Sequence, residues 1–405
     1  MESRPARTDH AIIIGCGIAG PALGIALARA GIDATVYEAA PAPRDDAGAF
    51  LNLAPNGLNA LRALGVAHLT DDIGFRNDRI VFLNEAGRVL ADAAVGGRTL
   101  MRGALSCALR EAALHRGVRF EFGKALTSVE EGADGVLARF ADGTSASGRL
   151  LVGADGIHSR TRSSFFRDAP TPAYTGIVNL GGIVRTDLPR TGATMHMIFG
   201  RRAFFGYAVR PSGDAYWFSN LAEPEEPARG SLEAVDAAEF RERLLALHRD
   251  DPPEVTRILR AVAGEIGAFA VYDLESIPRW HRGAVCLIGD AAHAVGPHVG
   301  QGVSLALEDA FVLARCLRDL PDPAAAFTTF AHIRHERVRR VVEQSRRTAA
   351  RKAPTGWLGR KLRDLILPPF LRASAQAADW LYRYEFDWDA RVADTPLATA
   401  SHPSI

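Results

Sequence analysis

Two groups of small and acidic residues, far apart in the chain, have the types and spacing to hold a charged, hydroxyl-rich ligand. The first is Gly15, Gly17 and Gly20, followed by Glu38; the second is Gly289-Asp290, followed by Gly300-Gln301-Gly302. Glycines in the first pattern allow a tight turn, a close approach to a pyrophosphate and close packing of a helix on a sheet. A carboxylate at Glu38 can accept from both hydroxyls of a ribose and repels a 2′-phosphate, which suits FAD or NAD rather than NADP. A second carboxylate at Asp290, ahead of a glycine-rich loop, suits a polyol chain with a ring lying over the loop. A helix starting near Gly302 aims roughly half a positive charge at that ring. A reduced flavin, negative along its N1–C2=O edge, is stabilised by such a dipole; a nicotinamide has no such need.

These residues need strands to present them and helices to point at them. Ile12 to Ile14 is a short apolar run, as expected of a central parallel strand. The following helix runs to about Ala30 and stops at Gly31, with Pro21 tolerated in its first turn. Its free N–H groups face the phosphates. Ala34 to Tyr37 is the next strand, with Glu38 at its tip. Val285 to Ile288 is another buried-strand run, and Val303 to Leu317 has a helical pattern. Between the two groups, the strand Leu150 to Val152 runs into Gly153-Ala154-Asp155-Gly156, with Ser159 and Arg162 just beyond. Asp155-Gly156 alone reads as a turn dipeptide; its place between that strand and the Ser159/Arg162 pair gives it weight.

Taken in order, these three stretches resemble the motifs of the FAD-dependent aromatic hydroxylases, single-component flavoprotein monooxygenases built like p-hydroxybenzoate hydroxylase. The motif spacing covers about residues 8 to 317. The resemblance implies that Glu38 holds the adenosine ribose, that Arg44 sits near FAD or the incoming nicotinamide, and that Arg102 contacts the FAD phosphates. It implies that Asp155 links FAD and NAD(P)H binding, with Arg162 bracing its loop, and that Asp290 binds the ribityl chain. Pro297 is the residue expected against the flavin where oxygen reacts, and no protein nucleophile is expected. Many relatives carry Pro or Thr where this chain has Gly296, and His298 stands at a variable position. Arg102 and Arg44 also read as ordinary surface charges, and His293 as a satisfied buried imidazole.

The 405 residues carry a net charge of +1, which offers no electrostatic case for nucleic acid or a membrane surface. Cys16, Cys107, Cys286 and Cys316 lack paired or metal-type spacing, so free thiols in a cytoplasmic protein and no metal site are expected. No signal peptide and no run of about eighteen apolar residues are evident.

The fold expected is α/β: a Rossmann-like FAD-binding domain, a discontinuous antiparallel-sheet substrate domain and a C-terminal helical tail. Strand–helix alternation over residues 8 to about 160 suggests a doubly wound sheet. The expected FAD-binding domain is 1–78, 92–172 and 272–350. The substrate domain is 79–91 and 173–271, and 351–405 is the helical tail, with Trp357 and Leu358 opening its apolar stripe. Thr194 to Gly200, Ala203 to Arg210 and Ala215 to Leu221 read as antiparallel strands, a roof over the flavin. Phe205 and Trp217 are its expected cavity residues. The reaction implied is hydroxylation of an apolar, aromatic or polycyclic small molecule by NADPH or NADH and O2, through a flavin C4a-hydroperoxide. The alternative is an FAD-dependent dehydrogenase or reductase of a lipid or polyketide without oxygen transfer. Either a monomer or a homodimer is compatible with the sequence.

Overall fold

The computed structural model describes residues 10–45, 49–132, 135–166, 168–274, 277–296, 300–349, 359, 361–362, 364–369 and 379–394. Among them, the short apolar runs form a six-stranded sheet in the order His281–Arg282, Val285–Leu287, Leu150–Gly153, Ala11–Ile14, Ala34–Tyr37, Arg119–Glu121. Its pairs are parallel except at the His281–Arg282 edge. The four central strands are buried along their length and largely apolar because both faces are covered. Ile13 and Val152 pack among the helices Ala19–Arg29 and Gly302–Asp319, while Ile12, Leu151 and Val285 pack against Val136, Ala138 and Phe140. Those last three residues belong to a three-stranded antiparallel sheet, Leu126–Gly132, Gly135–Phe140 and Ser145–Gly148. The expected strand–helix alternation fails at this point. Period-2 patterning identifies a strand without saying which sheet it joins.

The second large sheet has eight strands, ordered Gly267–Asp273, Ala173–Arg185, Asp214–Ala222, Phe204–Val209, Thr194–Phe199, Gly74–Asn84, Val89–Met101, Phe50–Leu53. It is mixed rather than wholly antiparallel, since Thr194–Phe199 runs parallel to Gly74–Asn84. Residues 79–91 belong to a hairpin turning at Asn84–Gly87, whose strands Gly74–Asn84 and Val89–Met101 pair well beyond those bounds. One face of this sheet is sealed by the helices Ala237–Leu247 and Pro253–Ala261, through Phe240, Leu244 and Ile258. In the C-terminal region, Leu367 packs on Leu90, Phe199 and Phe204, while Leu381 and Val392 join the core around the first sheet. Trp357 and Leu358 lie outside the described residues.

Candidate functional site

The carboxyl ends of the strands Ala11–Ile14, Ala34–Tyr37 and Leu150–Gly153 open into a cleft of about 400 Å³, walled in part by Gly15, Gly17, Glu38, Arg102, Asp155, Asp290 and Gly302. Residues from all three sequence motifs therefore meet in one place, as expected of a ligand site at the strand ends of an open parallel sheet.

The glycines have separate reasons to be there. Gly15 sits at φ +105°, and a Cβ on it would lie 2.5 Å from the Ala154 carbonyl oxygen. A Cβ on Gly20 would lie 2.0 Å from the Gly15 oxygen, so the helix crosses the turn at backbone contact. Gly17 has nothing within 4 Å of its missing side chain; that space is the cleft itself, free for a phosphate to meet the backbone. Glu38 is fixed before any ligand arrives: its Oε2 accepts from Cys16 N–H at 2.7 Å and its Oε1 from Ala40 N–H at 2.9 Å. A carboxylate has about four acceptor positions, so those left over can take ribose hydroxyls. The backbone gap, the helix N-terminus and the placed carboxylate fit an adenine dinucleotide.

Across the cleft, Asp155 accepts from Ser159 Oγ at 2.6 Å, from Thr161 N–H at 2.9 Å and from Thr161 Oγ1 at 3.1 Å. Burial nevertheless pushes its carboxyl above the ordinary value, and these donors only partly offset that. Arg162, almost wholly buried, donates to Ile157 O and, at 2.9 Å, to Ala291 O. It therefore ties the Asp155 turn to the turn that carries Asp290. Gly289 is held at φ +56° and donates its N–H to Asp309 Oδ2 at 2.9 Å, and a Cβ there would press on Ala306 and Ala19. The Asp290 side chain has no hydrogen-bond partner among the described residues, and its Oδ1 lies 3.8 Å from the Cβ position of Gly302, at the start of a helix whose N-terminal residues Gly302, Val303 and Ala306 line the cleft.

Several expected residues stand elsewhere. Arg44 is exposed and does not line the cleft. Gln301 is wholly buried beneath the cleft rather than facing it, and Gly300 is exposed at φ +62°. Pro297 and His298 lie outside the described residues. The clearest correction concerns Phe205 and Trp217. Their rings stack at 5.9 Å between the eight-stranded sheet and its covering helices, at 0% and 1% exposure. Strand alternation puts Tyr216 and Phe218 on the opposite face, where Phe50 approaches them at 5.6 and 5.9 Å. Lys124, His158 and Arg160 line the cleft without having been singled out from sequence. The buried groups behind it, Asn56, Glu308, Asp309, Arg334 and Arg337, were not singled out either. The one sequence signal for them was Glu308-Asp309, two adjacent acidic residues inside a largely apolar helical run.

A parallel-sheet fold with a glycine turn, one carboxylate beside it and another across the cleft fits a flavin dinucleotide. The family described as an FAD binding domain matches residues 8–345, and the chain belongs to this family of flavoprotein aromatic hydroxylases. It is 33% identical over 358 residues to an FAD-dependent urate hydroxylase of Klebsiella pneumoniae, covering 83% of this chain and 88% of that one. It is 33% identical over 388 residues to 3-amino-4-hydroxybenzoate 2-monooxygenase PtnB3 of Streptomyces platensis, covering 92% and 95%. The crystal structure of Klebsiella pneumoniae HpxO complexed with FAD and uric acid superposes with a TM-score of 0.80 at 28% identity, over 91% of this chain and 96% of that one. The protein is an FAD-dependent monooxygenase of the aromatic hydroxylase type, with NAD(P)H as co-substrate. No described helix is long and apolar enough to cross a membrane.

Proposed function

We propose that this enzyme hydroxylates a small, electron-rich aromatic compound, with FAD lying along the cleft from Glu38 to Gly302. The observation that carries this is the convergence of Gly15, Gly17, Glu38, Asp155, Asp290 and Gly302 on one cleft. In this reading Glu38 holds the adenosine ribose, and Gly15, Gly17 and Arg102 receive the pyrophosphate, with Gly20 letting the helix come close. Asp290 holds the ribityl chain, and Gly289, Gly300, Gln301 and Gly302 shape the backbone around the ring. Asp155 and the exposed Arg44 are left for the passing nicotinamide. Pro297 is assigned to the ring's oxygen-reacting side on family resemblance alone. When bound, FAD would supply acceptance of a hydride from NAD(P)H and transfer of one oxygen atom of O2 to the substrate, the other leaving as water.

The protein's own part is binding, orientation and dryness. The N-terminus of the helix Gly302–Asp319 supplies positive potential where the reduced ring carries negative charge. We assign the substrate to the face of the eight-stranded sheet that bears Tyr216, Phe218 and Phe50. The substrate-holding part is then this whole sheet with its helices, taking in residues 50–53 and 74–101 as well as 173–273. Free Cys16, Cys107, Cys286 and Cys316 agree with a reducing cytoplasm.

The relatives named above act on urate and 3-amino-4-hydroxybenzoate, and a third, from Bordetella bronchiseptica, is a 6-hydroxynicotinate 3-monooxygenase. Those three compounds make the first panel for NAD(P)H oxidation under 18O2. The expected result is one compound that accelerates oxidation and gains a single labelled oxygen. NAD(P)H oxidation yielding only H2O2, with every compound in this and a wider aromatic panel returned unchanged, would overturn the proposal. With an accepted substrate in hand, Phe218→Ala should raise KM severalfold while the protein stays folded; an unchanged KM moves the substrate off this face.

A further inference from the structure

Glu308 and Asp309 are consecutive carboxylates at 0% exposure on the helix Gly302–Asp319, and nothing in the reaction uses them directly. Asp309 Oδ2 accepts from Gly289 N–H at 2.9 Å and from His293 Nε2 at 2.6 Å, while its Oδ1 accepts from Arg334 Nε at 2.8 Å. Glu308 Oε1 accepts from Asn56 Nδ2 at 2.7 Å, and the same amide donates to Gln301 Oε1 at 2.9 Å. Arg337 donates twice to Glu308, at 2.7 Å each, and Arg334 Nη1 lies 2.6 Å from Glu308 Oε2. Ser345 Oγ donates to the Gly296 carbonyl at 2.9 Å. Arg334, Arg337 and Ser345 all belong to the helix Pro323–Ala349. The stretch Gly289–Gly296 is thus tied at its start and end, and Gln301 is tied on the other side.

We propose that Asp309 and Glu308 are positioning residues that hold these two flanks in the shape that receives the flavin end of FAD, with Ser345 as a third tie at Gly296. The proposal rests on the assignment of Gly289–Gly296 and Gly300–Gly302 to that end of the cofactor. Glycines at 289, 296, 300 and 302 give the backbone more freedom than a precise site tolerates, and the ties remove it. A buried ion-pair network is a poor source of net stability, because desolvation offsets the attraction. It is a good source of geometry, because each oxygen has a fixed set of donors. An asparagine at 309 has one acceptor oxygen, so it must give up either Arg334 or the Gly289/His293 pair.

The test uses the holoenzymes of wild type, Asp309→Asn, Glu308→Gln and Ser345→Ala. FAD release on dilution is read by flavin fluorescence, the bound-flavin absorption band is recorded, and far-UV circular dichroism checks the fold. Asp309→Asn is expected to bind FAD about tenfold more weakly, and Ser345→Ala about fivefold, each with a shifted flavin band. A purely structural role would lower the melting temperature and leave the spectrum and FAD affinity of the folded variants unchanged; that result overturns the proposal. If Asp309→Asn does not fold, Ser345→Ala, which removes a single hydrogen bond, decides alone. Wild-type protein that does not retain FAD contradicts the cofactor assignment and the clamp together; wild-type retention with unaltered variants contradicts the clamp alone.

Discussion

The two ends of the proposed cofactor site are built in opposite ways. At the adenosine end the backbone makes the site. Gly15 and Gly20 touch neighbouring carbonyls where any side chain would collide, and Glu38 is set by two backbone N–H groups, Cys16 in the turn and Ala40 two residues beyond the carboxylate. At the flavin end side chains make it. Gly289 and Gln301 are held by Asp309, Asn56 and Glu308, which depend in turn on Arg334 and Arg337 from a different helix. The first end is local and close to rigid. The second is assembled from side chains on separate elements, Asn56 on one helix, Glu308 and Asp309 on another and Arg334 and Arg337 on a third, and a change in any one of them reaches the ring.

The comparison breaks most readily at Gly20. A valine there places its Cβ 2.0 Å from the Gly15 oxygen with only backbone to yield. The expected outcome is no soluble FAD-bearing protein, and a yellow, folded Gly20→Val would show that the helix does not need this contact. Next is Arg334→Leu, which leaves two buried carboxylates short of a partner and should cost about 3–5 kcal/mol in a denaturant titration. A loss below about 1 kcal/mol would mean that Arg337 and His293 neutralise the pair unaided. Glu38→Ala removes a charged acceptor from the adenosine end and should weaken FAD binding by about 1.5–3 kcal/mol, leaving the flavin absorption band in place. A shifted band there would erase the distinction between the two ends.

Acid gives the gentlest separation. Burial alone would raise Asp309, but the neighbouring His293 and Arg334 with their hydrogen bonds outweigh it and hold the carboxyl at about 2. Arg334 and Arg337 likewise pull Glu308 below its ordinary value against its burial. Because folding depresses both groups, the stability they add is complete above about pH 5, beyond both ordinary carboxylate values, and is lost as the pH falls toward 2. FAD retention should follow that window, and release already complete at pH 5 would contradict it.

The contrast between the ends also explains what could be read from the chain. A backbone-built site leaves its mark locally: Gly15, Gly17, Gly20 and Glu38 were recognisable because steric need and residue type coincide within a short stretch. Asp155 and Asp290 were legible from their places at strand ends. Asn56, Arg334 and Arg337 were not, since an arginine on a long helix is ordinarily a surface charge, and only the fold turns these two inward. Phe205 and Trp217 show a second limit. Alternation separates the faces of a strand without saying which face meets helices and which meets a ligand. The strands Phe50–Leu53 and Val89–Met101 show a third, because the sheet they join is decided by pairing across the chain.

The most direct test of the two-ended site is a crystal structure with FAD bound. The expected result is an adenosine ribose within hydrogen-bonding distance of Glu38, a ribityl chain at Asp290, and the ring over the start of the helix Gly302–Asp319. A flavin ring bound away from Asp290 and Gly302, with the adenosine still at Glu38, would contradict it.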